Sequence, residues 1–193
     1  CSPDLTAVVE AAADADTVAA YEELQRLGQL TTRVRICQRL DQNDLDDAAQ
    51  LRRFVATRER IAAADHDGTL DANCVKILLD GGYGSRSVAL LKPYEIPGLG
   101  SGKLFVEPER MNRLVTQLDA LGFQVHVHAI GDRSVRTALD AVAVARKTNP
   151  RHGQPHTFAH LSLVDLADAP RFRQLDVMPN RSEEHTSELQ SLR

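Results

Sequence analysis

The sequence has no apolar run approaching the roughly 20 residues that a bilayer-spanning helix needs, so no membrane role is expected. It also lacks any excess of positive charge. Its 23 Lys and Arg against 27 Asp and Glu leave a net charge of −4, which offers no electrostatic footprint for nucleic acid. Cysteines are scarce: Cys1, Cys37 and Cys74 show no Cys-x-x-Cys spacing, which argues against a zinc ribbon and against a disulfide framework. An odd number of dispersed thiols fits a reducing cytosol, so a cytoplasmic protein is expected. The first residue is not methionine, and no signal-peptide pattern stands before the first helical stretch. The chain is therefore expected to begin inside a longer protein, with its true N-terminus and any targeting signal upstream.

What is present is enough for one core: 193 residues suit a single domain. Residues 4–29 read as one or two helices, with Val18, Tyr21, Leu24 and Leu27 recurring at threes. Val34 and Ile36 alternate with Arg33, Arg35 and Cys37 as a short strand, and residues 45–64 are again helical. Residues 74–79 form a mostly apolar run of strand length, as in a parallel sheet covered on both faces. A loop rich in glycine and proline follows to about residue 106. Pro108 then suits the first turn of a helix whose Met111, Leu114, Val115, Leu118 and Leu121 make one apolar stripe. A strand over 124–129, a helix over 133–147, a strand over 157–163, a short helix over 166–175 and a strand from Val177 complete the order. Such alternation of helix and strand calls for a parallel sheet with right-handed crossovers. About five strands are too few for a closed (β/α)₈ barrel of about 250 residues, so a doubly wound sheet and an incomplete barrel both fit.

The chemistry centres on Gln124-Val125-His126-Val127-His128-Ala129-Ile130-Gly131-Asp132. The period of two places His126 and His128 on one face of a strand. Gly131 ends that strand and Asp132 opens the next helix as an N-cap, with orienting a histidine as its other role. Polar groups at a strand end before a βα turn are where α/β enzymes keep their chemistry. The bland alternative for each histidine is a satisfied structural role. Lys76 and His160 stand on the neighbouring apolar strands, so Lys76, His128 and His160 can converge from three strands that end on one side of a parallel sheet. A lysine held among metals can add carbon dioxide and become a carbamate, and with two imidazoles it would offer donors that zinc accepts. Zinc lowers the pKa of a bound water to about 7. His126 is a candidate for packing or for supporting the ligands. Asp80, at the end of the lysine strand, could touch substrate or form a turn. Arg86, in the loop above, could meet an anionic group or simply be solvated.

Three stretches carry a resemblance: VKILLDGGYGSRSVALL over residues 75–91, GFQVHVHAIGDRSVRTALDA over 122–141 and HTFAHLSLVDLADAPRFRQLDV over 156–177. They resemble the amidohydrolase superfamily, most of all its amidohydrolase 3 branch, which includes N-substituted formamide deformylase-like enzymes. The resemblance implies a partial (β/α)₈ TIM barrel with roughly strands 3 to 7, lacking the first and last strands. It implies a hydrolase cleaving the C–N bond of an amide, formamide or cyclic amide through a water activated by one or two divalent ions, zinc being expected. Lys76, His128 and His160 match the ligands of strands four, five and six. The first-strand His-x-His pair and the eighth-strand aspartate that serves as general base have no counterpart, so residues 1–180 are expected to be an inactive piece of the barrel. Ester or phosphoester hydrolysis is the nearest alternative. A non-catalytic doubly wound ligand-binding module is the other, although no glycine follows the strand at Gln38-Arg39-Leu40-Asp41. A small-molecule substrate is expected, with no nucleic acid or membrane partner, and a full-length parent able to form homo-oligomers. Residues 181–193 read as a non-native tail, because residues 181–191 resemble a translated short-read sequencing adapter.

Overall fold

The computed structural model describes residues 5–150 and 154–181; the tail-like segment from residue 182 lies outside them. Six parallel strands run in sequence order: β1 (Ala7–Ala13), β2 (Arg33–Arg39), β3 (Leu70–Leu78), β4 (Gln124–Ala129), β5 (His156–His160) and β6 (Val177–Asn180). Five helices connect them: α1 (Ala15–Arg26), α2 (Asp47–Ala64), α3 (Pro108–Ala120), α4 (Asp132–Thr148) and α5 (Ala169–Leu175). Neighbouring strands pair in chain order throughout, so the sheet curves as a half-barrel with β1 and β6 at its edges. No described helix is long and apolar enough to cross a membrane.

Two expectations change here. β1 replaces the start of the helix read from residue 4: Ala7, Val8, Val9 and Glu10 pair with Arg33, Val34, Arg35 and Ile36. An alanine-rich stretch carries helix propensity, and pairing with a neighbouring strand overrides it. The sheet thus has six described strands where five were counted. Asp132 is not the cap of α4 either. Gly131 holds that position, and Asp132 in the first turn accepts a hydrogen bond from the Leu91 amide at 2.8 Å. The cap glycine has a packing reason, since a Cβ on Gly131 would sit 2.0 Å from the Ala89 carbonyl oxygen.

Alternation along the strands separates two faces. Val75, Ile77, Val125, Val127 and Phe158 point toward the helices and join Met111, Leu114, Val135, Leu139 and Phe172 in the main core. A fully buried side chain of this kind stabilises the fold by about 1.5–3 kcal/mol. A smaller cluster packs Ile36, Leu70 and Ala72 against Val18 and Ile61. The opposite, inner face carries Lys76, His126 and His128. Between Arg35 and Cys37 the β2–β3 register shifts, so that Arg35 pairs with Asp71 but Cys37 pairs with Cys74. The extra residue in β3 sets the two cysteines side by side, and they form a disulfide with Cα atoms 4.3 Å apart. The reading of dispersed thiols is thereby corrected: two cysteines 37 positions apart are neighbours once the strands pair.

On the helix side, Asp119 accepts from Arg146 at 2.7 Å and from Asn149 at 2.9 Å, and lies 3.1 Å from His156 Nε2. His156 Nδ1 accepts from the Val125 amide at 3.1 Å. Burial pushes the Asp119 carboxyl up, but hydrogen bonds from His156 and Asn149 and the charge of Arg146 outweigh it and hold it well below the usual carboxylate range. A depressed carboxyl stabilises the fold above its unfolded pKa of about 3.9, and that stability is lost as pH falls through the folded value. Asp119→Asn should therefore cost about 3–5 kcal/mol at pH 7, in the range for breaking a buried ion pair. Urea unfolding at a series of pH values should show the gap to the parent sequence narrowing below about pH 4.

Candidate metal centre

Lys76 lies near the C-terminal end of β3, with Val75 and Ile77 on either side buried toward the helices, so its own side chain faces the interior of the half-barrel. The sheet register pairs Lys76 with His126 and Leu78 with His128. Lys76 is only 5% exposed, and burial pushes its amine down to about 8. A fraction of the amine is then neutral near physiological pH, and the neutral amine is the form that can add carbon dioxide. His126 is buried as well. Burial, followed by the charges of Lys76, His160 and His128, pushes it down to about 3. Those three groups are thus close enough to act on one imidazole.

The placement of His160 does not follow from alternation. Phe158 on β5 faces the helices, and a regular strand would send His160 the same way. Instead His160 takes φ 77° and Leu161 φ 48°, both left-handed. The turn swings the His160 ring to 4.4 Å from that of His128, centroid to centroid, with the planes at 61°. Leu161 donates to the Ala129 carbonyl at 3.0 Å and Leu163 to that of Ile130 at 2.9 Å, which holds the turned segment against the end of β4. Left-handed backbone at a non-glycine residue costs on the order of 1–3 kcal/mol and collects at functional sites. His160→Gly should leave stability unchanged or raise it by about 1 kcal/mol, because glycine takes this conformation freely but loses more chain entropy. Equilibrium urea denaturation would check this, a clear loss of stability being the contrary result.

Asp80 closes the corner. Its carboxylate has no exposed surface and accepts from the amides of Ala89 at 3.1 Å, Ile130 at 3.0 Å and Gly131 at 2.9 Å and from Ser134 Oγ at 2.7 Å. Burial pushes its carboxyl up, against these four bonds. One of its oxygens stands 3.7 Å from His128 Nε2, too long for a hydrogen bond yet close enough to orient a protonated or metal-loaded ring. Asp80 thus joins the long loop after β3 to the start of α4 and faces backbone rather than solvent. Arg86 is exposed in that loop at φ 51°, its amide donating to the Tyr83 carbonyl at 2.9 Å. Asp132, as noted, serves the same loop through Leu91.

The donors suit a divalent ion. Two imidazoles from adjacent strand ends stand ring to ring, a third lies behind them with its Nε2 buried and without a hydrogen-bond partner, and a buried amine completes the inner face. Imidazole nitrogens placed in this way match the preference of zinc and its neighbours. Missed from the sequence were Ser134, which helps hold Asp80, and the cysteine pair lying beside His126. Only the strand register reveals the latter.

A parallel sheet whose successive strands bring lysine and histidines to one inner face places the molecule among the α/β barrel-type folds. The sequence pattern of the Amidohydrolase family matches residues 2–186, and the chain belongs to that family. It is 33% identical over 106 residues to the exoenzymes regulatory protein AepA of Pectobacterium carotovorum subsp. carotovorum, covering 55% of this chain and 22% of that protein. It is 29% identical over 96 residues to the putative amidohydrolase YtcJ of Bacillus subtilis, covering 50% of this chain and 18% of that one. The chain thus spans about a fifth of the length of these curated relatives. Among solved structures, an uncharacterized metal-dependent hydrolase from Pyrococcus furiosus superposes with a TM-score of 0.67 at 23% identity, covering 91% of this chain and 33% of that one. A counterpart from Pyrococcus horikoshii OT3 gives 0.65 at 25% identity, covering 90% and 32%.

Proposed function

We propose that this chain is the ligand-bearing part of a metal-dependent hydrolase that cleaves the C–N bond of an amide, formamide or cyclic amide in a small molecule. Lys76, as its carbamate, His128 and His160 would hold one or two divalent ions, with zinc the proposed metal. When bound, such an ion polarises a carbonyl and brings the pKa of a water to about 7. The chain's own residues do the rest. His128 and His160 present their rings from adjacent strands, Asp80 fixes the corner behind His128, and His126 lines the floor. The observation that carries this reading is the left-handed turn at His160, which sets its ring 4.4 Å from that of His128 against the alternation of its strand. Family membership supports the reaction class. The first-strand His-x-His pair and the eighth-strand aspartate would come from further parts of an intact protein, so the 193-residue chain alone is proposed to be inactive. The cytoplasm is the proposed compartment, where the reducing pool would hold the Cys37–Cys74 pair as thiols.

The test uses the intact protein that contains this stretch. Dialysis against a chelator should abolish hydrolysis of a formamide and amide panel, and zinc or another divalent ion should restore it. Activity that survives with metal content below a tenth of an ion per chain, by elemental analysis, would overturn the metal assignment. Turnover of esters or phosphoesters in place of amides would keep the metal but overturn the C–N assignment.

A further inference from the structure

Beside the lysine and histidine group, and sharing His126 with its floor, lies a cluster whose three donors the proposed reaction does not use as ligands. Cys37 Sγ is 3.7 Å from His126 Nδ1, and the donor atoms of Cys37, Cys74 and His126 all lie within 4.8 Å of one another. Both cysteines are fully buried and His126 is 7% exposed. Among the described residues, this is the group of cysteine, histidine and carboxylate side chains able to surround one ion. Cys74 stands two residues before Lys76 on β3, so the two cysteines lie about 7 Å deeper in the half-barrel than the lysine, while His126 stands level with it.

We propose that, once the Cys37–Cys74 disulfide is reduced, the two thiolates and His126 Nδ1 form a binding site for a soft divalent ion of the zinc class. The chemistry balances with a dithiol as reductant: its thiolate attacks one sulfur, the disulfide takes up two electrons and two protons, and the dithiol closes to a cyclic disulfide. The two protein thiols then release their protons as the ion binds. Three observations support the site. At a tetrahedral ion, a sulfur at about 2.3 Å and an imidazole nitrogen at about 2.05 Å stand about 3.6 Å apart, and Cys37 Sγ and His126 Nδ1 are 3.7 Å apart. The β-bulge sets Cys74 directly opposite Cys37, so the thiols of adjacent strands face one space without any strand having to move far. The His126 ring makes only this long sulfur contact through Nδ1, and its Nε2 is buried without a partner. Ligation would give Nδ1 a full partner in place of this long contact and would fix the ring's proton on Nε2. Two sulfurs and one nitrogen leave a fourth position, which water can fill. Among divalent ions the donor set favours zinc or cadmium over magnesium or calcium. This inference stands apart from the proposed hydrolysis, since none of its three donors is a ligand there.

The experiment takes the 193-residue chain with Cys1→Ser, so that Cys37 and Cys74 carry the only thiols. The chain is compared oxidised and after dithiothreitol reduction and anaerobic removal of the reductant. Cobalt(II) is the probe. The reduced chain should bind one ion with intense thiolate-to-cobalt charge-transfer absorption in the near ultraviolet, and the oxidised chain should show none. Cobalt held by Lys76, His128 and His160 would lack that band, which separates the two sites. Cys37→Ser or Cys74→Ser should weaken the charge-transfer titration by about a hundredfold and His126→Gln by about tenfold or more. A reduced, folded chain with no such band, or a band of undiminished affinity in either serine variant, would overturn the proposal. If reduction unfolds the chain by circular dichroism, zinc must refold it and protect both thiols from iodoacetamide; failure to do so also overturns it.

Discussion

Asp80→Ala should lower the stability of the chain by about 4 kcal/mol or more, enough to unfold a marginal domain at room temperature. The carboxylate accepts hydrogen bonds from the amides of Ala89, Ile130 and Gly131 and from the Ser134 hydroxyl, and none of it reaches solvent. Alanine would leave three amides buried without an acceptor, at roughly 1–3 kcal/mol for each orphan that water cannot reach, while the Ser134 hydroxyl would keep the Gly131 carbonyl at 2.7 Å. Asp80→Asn keeps one acceptor oxygen but turns an NH₂ toward donors, so it should fall between the two. Urea titration followed by circular dichroism measures the series. An Asp80→Ala chain within about 1 kcal/mol of the parent would show that this corner is not held by the carboxylate. Because one Asp80 oxygen also stands 3.7 Å from His128, any variant that folds should show His128 less well ordered.

In the intact protein, Lys76→Ala should reduce hydrolysis by a factor on the order of 10³ or more, the scale expected when an activating metal is lost. Lys76→Arg separates two roles for the lysine. Arginine keeps the charge but cannot form a carbamate and stays protonated, so it should be as inactive as alanine if Lys76 acts as a ligand. If the side chain is needed only as a cation, arginine should retain much of the rate. Added short-chain carboxylates should partly restore the alanine variant, because a free carboxylate can enter the space of the missing carbamate. Metal content should fall in both variants and recover with the carboxylate. An active Lys76→Arg enzyme with full metal content would remove Lys76 from the ligand set while leaving His128 and His160 to be tested by themselves.

The legible parts of this protein were those where a local rule and the global packing agree. The stripe of Met111, Leu114, Val115 and Leu118 behind Pro108 reads as a helix and is one, because the same residues fill the core between α3 and the sheet. His126 and His128, spaced by two on a strand with apolar residues between them, share the inner face as read. β1 was misread because its alanines favour a helix locally, while its pairing partner lies more than twenty residues away. The Asp132 cap failed for a similar reason: the loop carrying Ala89 and Leu91 crosses close enough to demand glycine at the cap and to engage the aspartate itself.

By itself, the sequence determined the order of strands and helices from α1 onward, the parallel sheet and the residue types available for chemistry, since periodicity and side-chain chemistry are local properties. Only the tertiary structure decided which of those residues meet. The 4.4 Å approach of His160 to His128 depends on two left-handed residues, 160 and 161, held by the end of β4. The Cys37–Cys74 contact depends on a one-residue shift in strand register. Both are set by hydrogen bonds between strands, whose energy depends on partners distant in the chain and so leaves no mark in a local pattern.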